Sequence, residues 1–364
     1  MNSKRLAFIL PDFTGGGAER VALSLMQDFI RRGYEIDLVL LQAKGELLDL
    51  VPPSIRVFDL KAPRIRSAVG PLRRYFRDRQ PFGVQVSMWP VTVVSIIAHR
   101  LARSRAKLIL SDHIKLTKQY GHLPRTMAIL KASIRLFYPL ADGRVIVSKE
   151  AADDLATLSR LPRRSLEVIY NPVPAPMEIV PSAEAEALWK GARNRIITVG
   201  KMKEQKNHAL LIRSLAILRR SMEAKLMILG HGELSFDLEA LARSEGVEED
   251  VIFPGFTLDP WPYYASADLF ALSSDYEGYP LVLIEALRSG LKIVSTDCES
   301  GPKEILADGE YGQLVPCGDA RALAAAIGRA LSQPEDGQRL KARAEQLSGV
   351  ATADRYLRLM LGHA

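Results

Sequence analysis

The sequence predicts an α/β protein of two doubly wound, Rossmann-like halves, each a parallel sheet covered by helices. Three observations predict it. Short apolar runs alternate with helical segments along the whole chain, in two series separated by a proline-rich break. The runs read apolar on both faces, which suits parallel strands buried between helix layers. At 364 residues, 48% of them hydrophobic and 25% charged, the chain has the length of two domains and an ordinary globular composition.

The first series of strand-like runs lies at 4–11, 35–41, 55–61, 83–88, 107–111 and 143–148. After the first run, 18–32 carries helical spacing, with Val21, Leu25 and Phe29 on one face. A second series lies at 195–200, 225–230, 251–253, 268–273, 292–295 and 312–315. Helical stretches at 207–222, 233–245, 280–289, 302–307 and 319–332 fill its gaps. Between the series stands Asn-Pro-Val-Pro-Ala-Pro at 171–176, where three prolines forbid a regular element. The expected division is an N-terminal domain 1–175 and a C-terminal domain 176–334. The tail, 335–364, is expected to form two short amphipathic helices packing back toward the N-terminal domain. Two such halves facing each other would form a cleft, and ligands of open parallel sheets bind beyond the carboxyl ends of the strands.

Several classes are excluded. The composition is not that of a disordered chain. Two cysteines, Cys298 and Cys317, make neither a disulfide scaffold nor a Cys-x-x-Cys metal site. Only five apolar residues follow Arg5 before Pro11, too few for a signal-peptide core. The segment 80–99 lacks Asp, Glu, Lys and Arg, but Pro81, Gly83, Gln85 and Pro90 interrupt it. It reads as a strand at 83–88 and a helix at 91–101 rather than a membrane span.

Charge is unevenly placed. Residues 1–180 hold 28 Lys and Arg against 16 Asp and Glu; residues 181–364 hold 21 against 26. Within 61–135 stand 16 basic residues and two acidic ones, Asp78 and Asp112. Such one-sidedness favours an anionic surface or substrate. Segment 65–79 intersperses Arg66, Arg73, Arg74, Arg77 and Arg79 with Val69, Leu72, Tyr75 and Phe76. That composition suits an interfacial helix, and each basic residue near an anionic leaflet is worth roughly 1 kcal/mol. The expectation is a cytoplasmic protein, peripheral on the inner face of the membrane. Few aromatics interleave with the basic residues and no nucleic-acid signature appears, so nucleic acid is not the expected partner.

Four strand-end loops could carry chemistry. Gly15, Gly16 and Gly17 precede the first helix, whose N-terminal N–H groups suit phosphate; a purely structural turn is the alternative. Gly200 is followed by Lys201, Lys203 and Lys206, three ammonium groups suited to a diphosphate. Gly230-His231-Gly232 could admit a nucleotide close to the backbone. The fourth runs from Ser273 to Glu285. Glu277 lies in a loop and Glu285 in an otherwise apolar helix beginning near Pro280, so both carboxylates can face one ligand and hold sugar or ribose hydroxyls.

The pattern Glu277-x7-Glu285 resembles that of family-4 retaining glycosyltransferases with the GT-B fold. Gly-Gly-Ala-Glu in the first loop, Asn-Pro-Val at the linker, Gln-Lys-Asn-His after Gly200-Lys201, Leu-Gly-His-Gly, Phe-x-Gly at 253–255 and Ser-Gly-Pro-Lys-Glu-Ile at 300–305 follow in the family's order. Within the family the chain looks like bacterial enzymes extending polyprenyl-diphosphate-linked or surface-polysaccharide glycans, such as N-acetylgalactosaminyltransferases. One departure is Lys201 where the family usually has arginine, which keeps the charge but loses the planar two-donor fork.

The resemblance implies site roles. Lys201 and Lys206 would neutralise the diphosphate leaving group, Glu285 would hold the ribose, and Glu277 would hold the transferred sugar with backbone around Gly278, Tyr279, Pro280 and Leu281. Backbone near Phe253–Phe256 would read the base, beside Gly230, and Gly15–Gly17 would close on the diphosphate. His113 would meet the transferred sugar, with Asp112 as the alternative. Retention could follow a front-face route in which a donor phosphate oxygen takes the acceptor proton. No Asp-x-Asp clamp is present, and no metal or other cofactor is expected beyond a UDP-sugar donor and a lipid-linked or oligosaccharide acceptor. A nucleotide-sugar epimerase, a sugar-nucleotide sensor without activity and a basic nucleic-acid-binding protein are the competing readings.

Overall fold

Parallel ladders form where the sequence sets its apolar runs. The structure, a computed structural model, describes residues 5–173, 176, 178–347 and 351–362. The first sheet comprises β1 (Arg5–Leu10), β2 (Glu35–Leu40), β3 (Arg56–Asp59), β4 (Gly83–Ser87), β5 (Lys107–Asp112), β6 (Gly143–Ile146) and β7 (Glu167–Val168). Their order is β3-β2-β1-β4-β5-β6-β7, with every pair parallel. The second comprises β8 (Arg195–Val199), β9 (Lys225–Leu229), β10 (Val251–Gly255), β11 (Leu269–Leu272), β12 (Lys292–Thr296) and β13 (Gln313–Val315), in the order β10-β9-β8-β11-β12-β13 and again parallel. β7, two residues long, is the one strand too short to stand out in the sequence.

Each strand order reverses once, between β1 and β4 in the first sheet and between β8 and β11 in the second. Connections on the two sides of a reversal leave the sheet in opposite directions and open a crevice at the strand ends. The loops after β8 and β11 are therefore forced together, and so are those after β1 and β4.

Residues up to Pro172 together with the Ala351–Leu361 helix form one compact unit, and residues from Val173 to the Gly337–Leu347 helix form the other. The tail is divided rather than packed as one piece toward the N-terminal half. The Gly337–Leu347 helix buries Leu340 and Ala344 in the second unit, and its Arg343 donates to the carbonyls of Glu304 (3.0 Å) and Ile305 (3.0 Å). The Ala351–Leu361 helix instead buries Tyr356 and Met360 against the first sheet.

The interfacial reading of 65–79 is corrected by packing. The Val69–Arg79 helix turns Leu72, Tyr75 and Phe76 into the first core, so its apolar stripe is already spent. Arg79 grips buried Asp37 through two bonds of 3.1 Å, and the Tyr75 hydroxyl donates to the same carboxylate at 2.9 Å. Segment 80–99 folds as β4 and the Val91–Leu101 helix, and among the described residues no helix is long and apolar enough to cross a membrane.

Candidate functional site

In the second unit the site begins with loop architecture. Gln205 Nε2 donates to the Tyr276 carbonyl at 2.8 Å, the Asp275 N–H to the Gln205 carbonyl at 3.0 Å, and Asn207 Nδ2 to Asp275 at 2.9 Å. Ser273 Oγ donates to the Lys206 carbonyl at 2.8 Å. These bonds lace the loop after β8 to the loop after β11. The consequence is a close ion pair: Lys206 Nζ lies 2.7 Å from Glu277 Oε1, with the two side chains only 15% and 7% exposed. Ser274 Oγ donates to the same Oε1 at 2.6 Å and Thr296 Oγ1 to the Ser274 carbonyl at 2.7 Å. The Glu277 N–H and the Gly278 carbonyl are in turn held by the Glu299 carbonyl (3.2 Å) and Ser300 Oγ (2.9 Å).

The electrostatics are cationic. Lys203 is half-buried, and its ammonium is held below the usual lysine range, first by burial and then by Lys206 and Lys201, with Glu277 opposing. Lys203 thus stands between two neighbouring lysines on one side and Glu277 and Glu233 on the other, while Lys201 is exposed. Lysine ammonium groups gathered at one strand end suit an anion such as a diphosphate. The aliphatic stem of Lys206 crosses Gly200, where an added Cβ would lie 3.4 Å from it. Tyr279 is buried, and Pro280 leads into the Leu281–Arg288 helix. One turn further in, Glu285 is 9% exposed and accepts a bond of 2.8 Å from the Tyr264 hydroxyl.

Two glycine loops read differently in three dimensions. A Cβ at Gly230 would lie 2.2 Å from the Gly200 carbonyl, and one at Gly232 equally close to that of Met202. Those glycines are required by one strand-end loop lying on another. Phe253 packs against the second core, and Phe256 meets the His231 ring edge-on at 5.6 Å. In the first unit Gly15 has φ +78°, and the Glu19 carboxylate folds back over Gly16. An anion approaching this helix end shares it with a carboxylate already in place.

His113 and Asp112 leave β5 on opposite faces. Asp112 is buried and accepts from the Tyr138 hydroxyl at 3.0 Å, and burial pushes its carboxyl up to about 6. His113 lies at the strand end, its Nε2 3.0 Å from Ser111 Oγ, and burial lowers it to about 4. His208 is a packing residue, buried and lowered to about 3.

The sequence reading missed Ser274, the second serine of its own motif, and Tyr264. Ser274 could have been found from its position three residues before Glu277. Nothing in the sequence links Tyr264 to Glu285, 21 residues on, because the Trp261–Ala265 helix alone brings them together.

Two family models match the chain: Glycosyltransferase Family 4 over residues 15–175 and Glycosyl transferases group 1 over residues 181–347. A 4-alpha-N-acetylgalactosaminyltransferase of Campylobacter jejuni, named for a diphospho-undecaprenol substrate, is 28% identical, with 86% of each chain covered. The amylovoran biosynthesis glycosyltransferase AmsD of Erwinia amylovora is 27% identical over 81% of each. The solved structure of Anabaena Alr3699/HepE with UDP and glucose superposes with a TM-score of 0.80 over the full length of both chains at 20% identity. Two switch-point sheets of this kind are the frame of the GT-B fold. The chain belongs to the family-4 glycosyltransferases of that fold and is a transferase.

Proposed function

We propose that the protein is a retaining glycosyltransferase that moves a sugar from UDP to a lipid-linked glycan acceptor in polysaccharide or glycoconjugate synthesis. The observation that carries this reading is the Lys206–Glu277 pair within its lysine cluster. Lys206, with Lys201 and Lys203, stabilises the charge that develops on the leaving diphosphate, where fixed electrostatics contribute most. Glu277 holds hydroxyls of the transferred sugar and Glu285 those of the ribose, with backbone at Gly278–Leu281 beside them. His113 hydrogen-bonds the sugar. The lysines supply the positive charge a divalent cation would bring, so transfer proceeds without metal. The relatives named for N-acetylgalactosaminyl transfer to diphospho-undecaprenol substrates support the donor and acceptor classes.

Membrane association belongs to the same proposal, on a different surface from segment 65–79. The Pro124–Phe137 helix leaves Ile129 and Leu136 62% and 66% exposed, beside exposed Arg125, Lys131 and Arg135. No acidic residue occurs between 113 and 141. An apolar ridge rimmed with cations suits an anionic leaflet.

The test is transfer from a panel of nucleotide sugars to polyprenyl-diphosphate glycans, with the product anomer read by NMR and EDTA added in parallel. A product of inverted configuration, or donor turnover without acceptor as in an epimerase, overturns it.

A further inference from the structure

A sheet face covered by a helix is ordinarily apolar, and the face of β4 and β5 beneath the Ala351–Leu361 helix is not. Gln85, Ser87 and Ser111 are wholly buried there, with Ser87 paired to Ser111 across the ladder. Tyr356, also wholly buried, brings its hydroxyl 3.1 Å from Ser111 Oγ. The chain of polar groups ends on His113, whose Nε2 lies 3.0 Å from Ser111 Oγ and 3.5 Å from Ser87 Oγ. Buried polar groups are costly unless paired, so each hydroxyl in this stripe must find a partner for its proton.

We propose that Tyr356, acting through Ser111, is a positioning residue for His113 and holds its ring in the tautomer protonated on Nδ1. The directions of the donors follow from what each group can do. Either oxygen of the Tyr356–Ser111 contact can donate; the phenol is taken as the donor because Ser111 Oγ is the one acceptor its proton meets among the described residues, while Ser111 also meets His113 Nε2. Ser111 then turns its own proton to His113 Nε2. On the other side Gln85 Nε2 donates to Ser87 Oγ at 2.9 Å, which turns the Ser87 proton toward the same ring nitrogen. With both hydroxyls donating, Nε2 is an acceptor and the ring proton sits on Nδ1. Burial keeps the ring neutral near physiological pH. Nδ1 is buried and has no hydrogen-bond partner among the described residues, so in this tautomer its N–H is the ring's one unpaired donor.

The helix that carries Tyr356 is seated firmly enough to do this. A Cβ at Gly83 would fall 2.3 Å from the Met360 carbonyl, so only glycine lets the helix lie directly on β4. Thr352 Oγ1 donates to the Tyr170 carbonyl at 3.1 Å, Arg355 pairs with Glu167 at 2.9 Å, and Asp354 pairs with Arg32.

The inference rests on the reading that His113 donates to the transferred sugar, and two readouts separate them. The first is the pair of ring-nitrogen shifts of His113 in the ¹⁵N-histidine-labelled full chain, assigned with His113→Gln. Near neutral pH the wild type shows a pyridine-like Nε2 and a protonated Nδ1. Tyr356→Phe moves both shifts toward a tautomer mixture, Ser111→Ala moves them further, and Ser111→Thr restores them. The second is kinetic: kcat falls about fivefold in Tyr356→Phe, with donor KM unchanged. A protonated Nε2 in the wild type, or shifts untouched by Tyr356→Phe and Ser111→Ala, overturns the positioning role. Shifts that move as expected with kcat unchanged overturn instead the placement of His113 at the sugar.

Discussion

Lys206 and Glu277 face each other at 2.7 Å, from loops 71 residues apart in sequence, and both are largely shielded from water. The pair exists because the strand order reverses between β8 and β11, which brings these two loops together. A shielded pair is vulnerable to the loss of either member, since the survivor remains charged and poorly solvated. Lys206→Ala is expected to lower unfolding free energy by about 3 kcal/mol and to abolish the thermal stabilisation given by UDP. In the wild type, UDP at 100 times its dissociation constant should add about 2.7 kcal/mol. Glu277→Gln should keep the response to UDP while transfer falls about 100-fold, because the leaving-group site survives and the sugar contact does not. Scanning calorimetry with and without UDP, beside a transfer assay, checks both. A wild-type UDP response retained in Lys206→Ala would remove that lysine from the diphosphate site.

Tyr264 fixes one oxygen of Glu285 with a bond of 2.8 Å inside the core of the second unit. That bond holds the carboxylate in one orientation within the core. Tyr264→Phe should therefore raise donor KM about tenfold with little change in kcat, the signature of lost uniform binding. Glu285→Ala should weaken UDP itself. If Tyr264→Phe changed kcat and left KM alone, Glu285 would not be the ribose contact.

The strands, the break between the two halves and the four loops were legible because they depend on local patterns: apolar runs, prolines, glycines and lysines at strand ends. Glu285 stood out because a carboxylate in an apolar helix is anomalous, and Glu277 because it lies in a strand-end loop eight residues before it. Partners supplied by tertiary packing were not legible. Ser274 looks like any loop serine until its hydroxyl is seen on Glu277. Tyr264 looks like core and is core, with a polar end. Segment 65–79 misled because an amphipathic helix against a protein core and one against a membrane share a composition. The difference lies in what covers the apolar stripe, and Leu72, Tyr75 and Phe76 are covered by protein. The glycines at 230 and 232 likewise signalled a close approach correctly, but the approaching group is the chain's own backbone.

That correction moves the membrane test to the Pro124–Phe137 helix. Ile129→Asp with Leu136→Asp changes two exposed side chains and should leave folding intact, since surface substitutions usually alter stability by about 0.5 kcal/mol or less. Flotation with vesicles containing anionic lipid is expected to recover the wild type and to lose this double variant. Arg125→Ala with Lys131→Ala should weaken binding and reduce its dependence on salt. Equal flotation of wild type and double variant would show that this ridge is not the docking surface.

Stability should rise with pH across the mildly acidic range, and buried histidines decide the sign. His113 and His208 have pKa values lowered from 6.5 to about 4 and about 3, burial being the first cause in each. A depressed folded pKa means the unfolded chain binds the proton more readily, so the stabilisation is complete above the unfolded value and is lost as pH falls through the folded one. Asp112 acts in the opposite sense. Burial raises it from 3.8 to about 6, so its contribution is complete below the lower value and is lost as pH rises through the upper one. Three histidines, His99 being lowered by burial as well, against one carboxyl leave a net gain in stability with increasing pH between about 4 and 6.5. Each histidine adds up to about 1.4 kcal/mol per pH unit to that slope. His208→Gln removes one titrating ring outside the proposed sugar contacts and should flatten the slope by that amount. Urea unfolding over a series of pH values measures it, and an unchanged slope in His208→Gln would show that this histidine is not held neutral by burial.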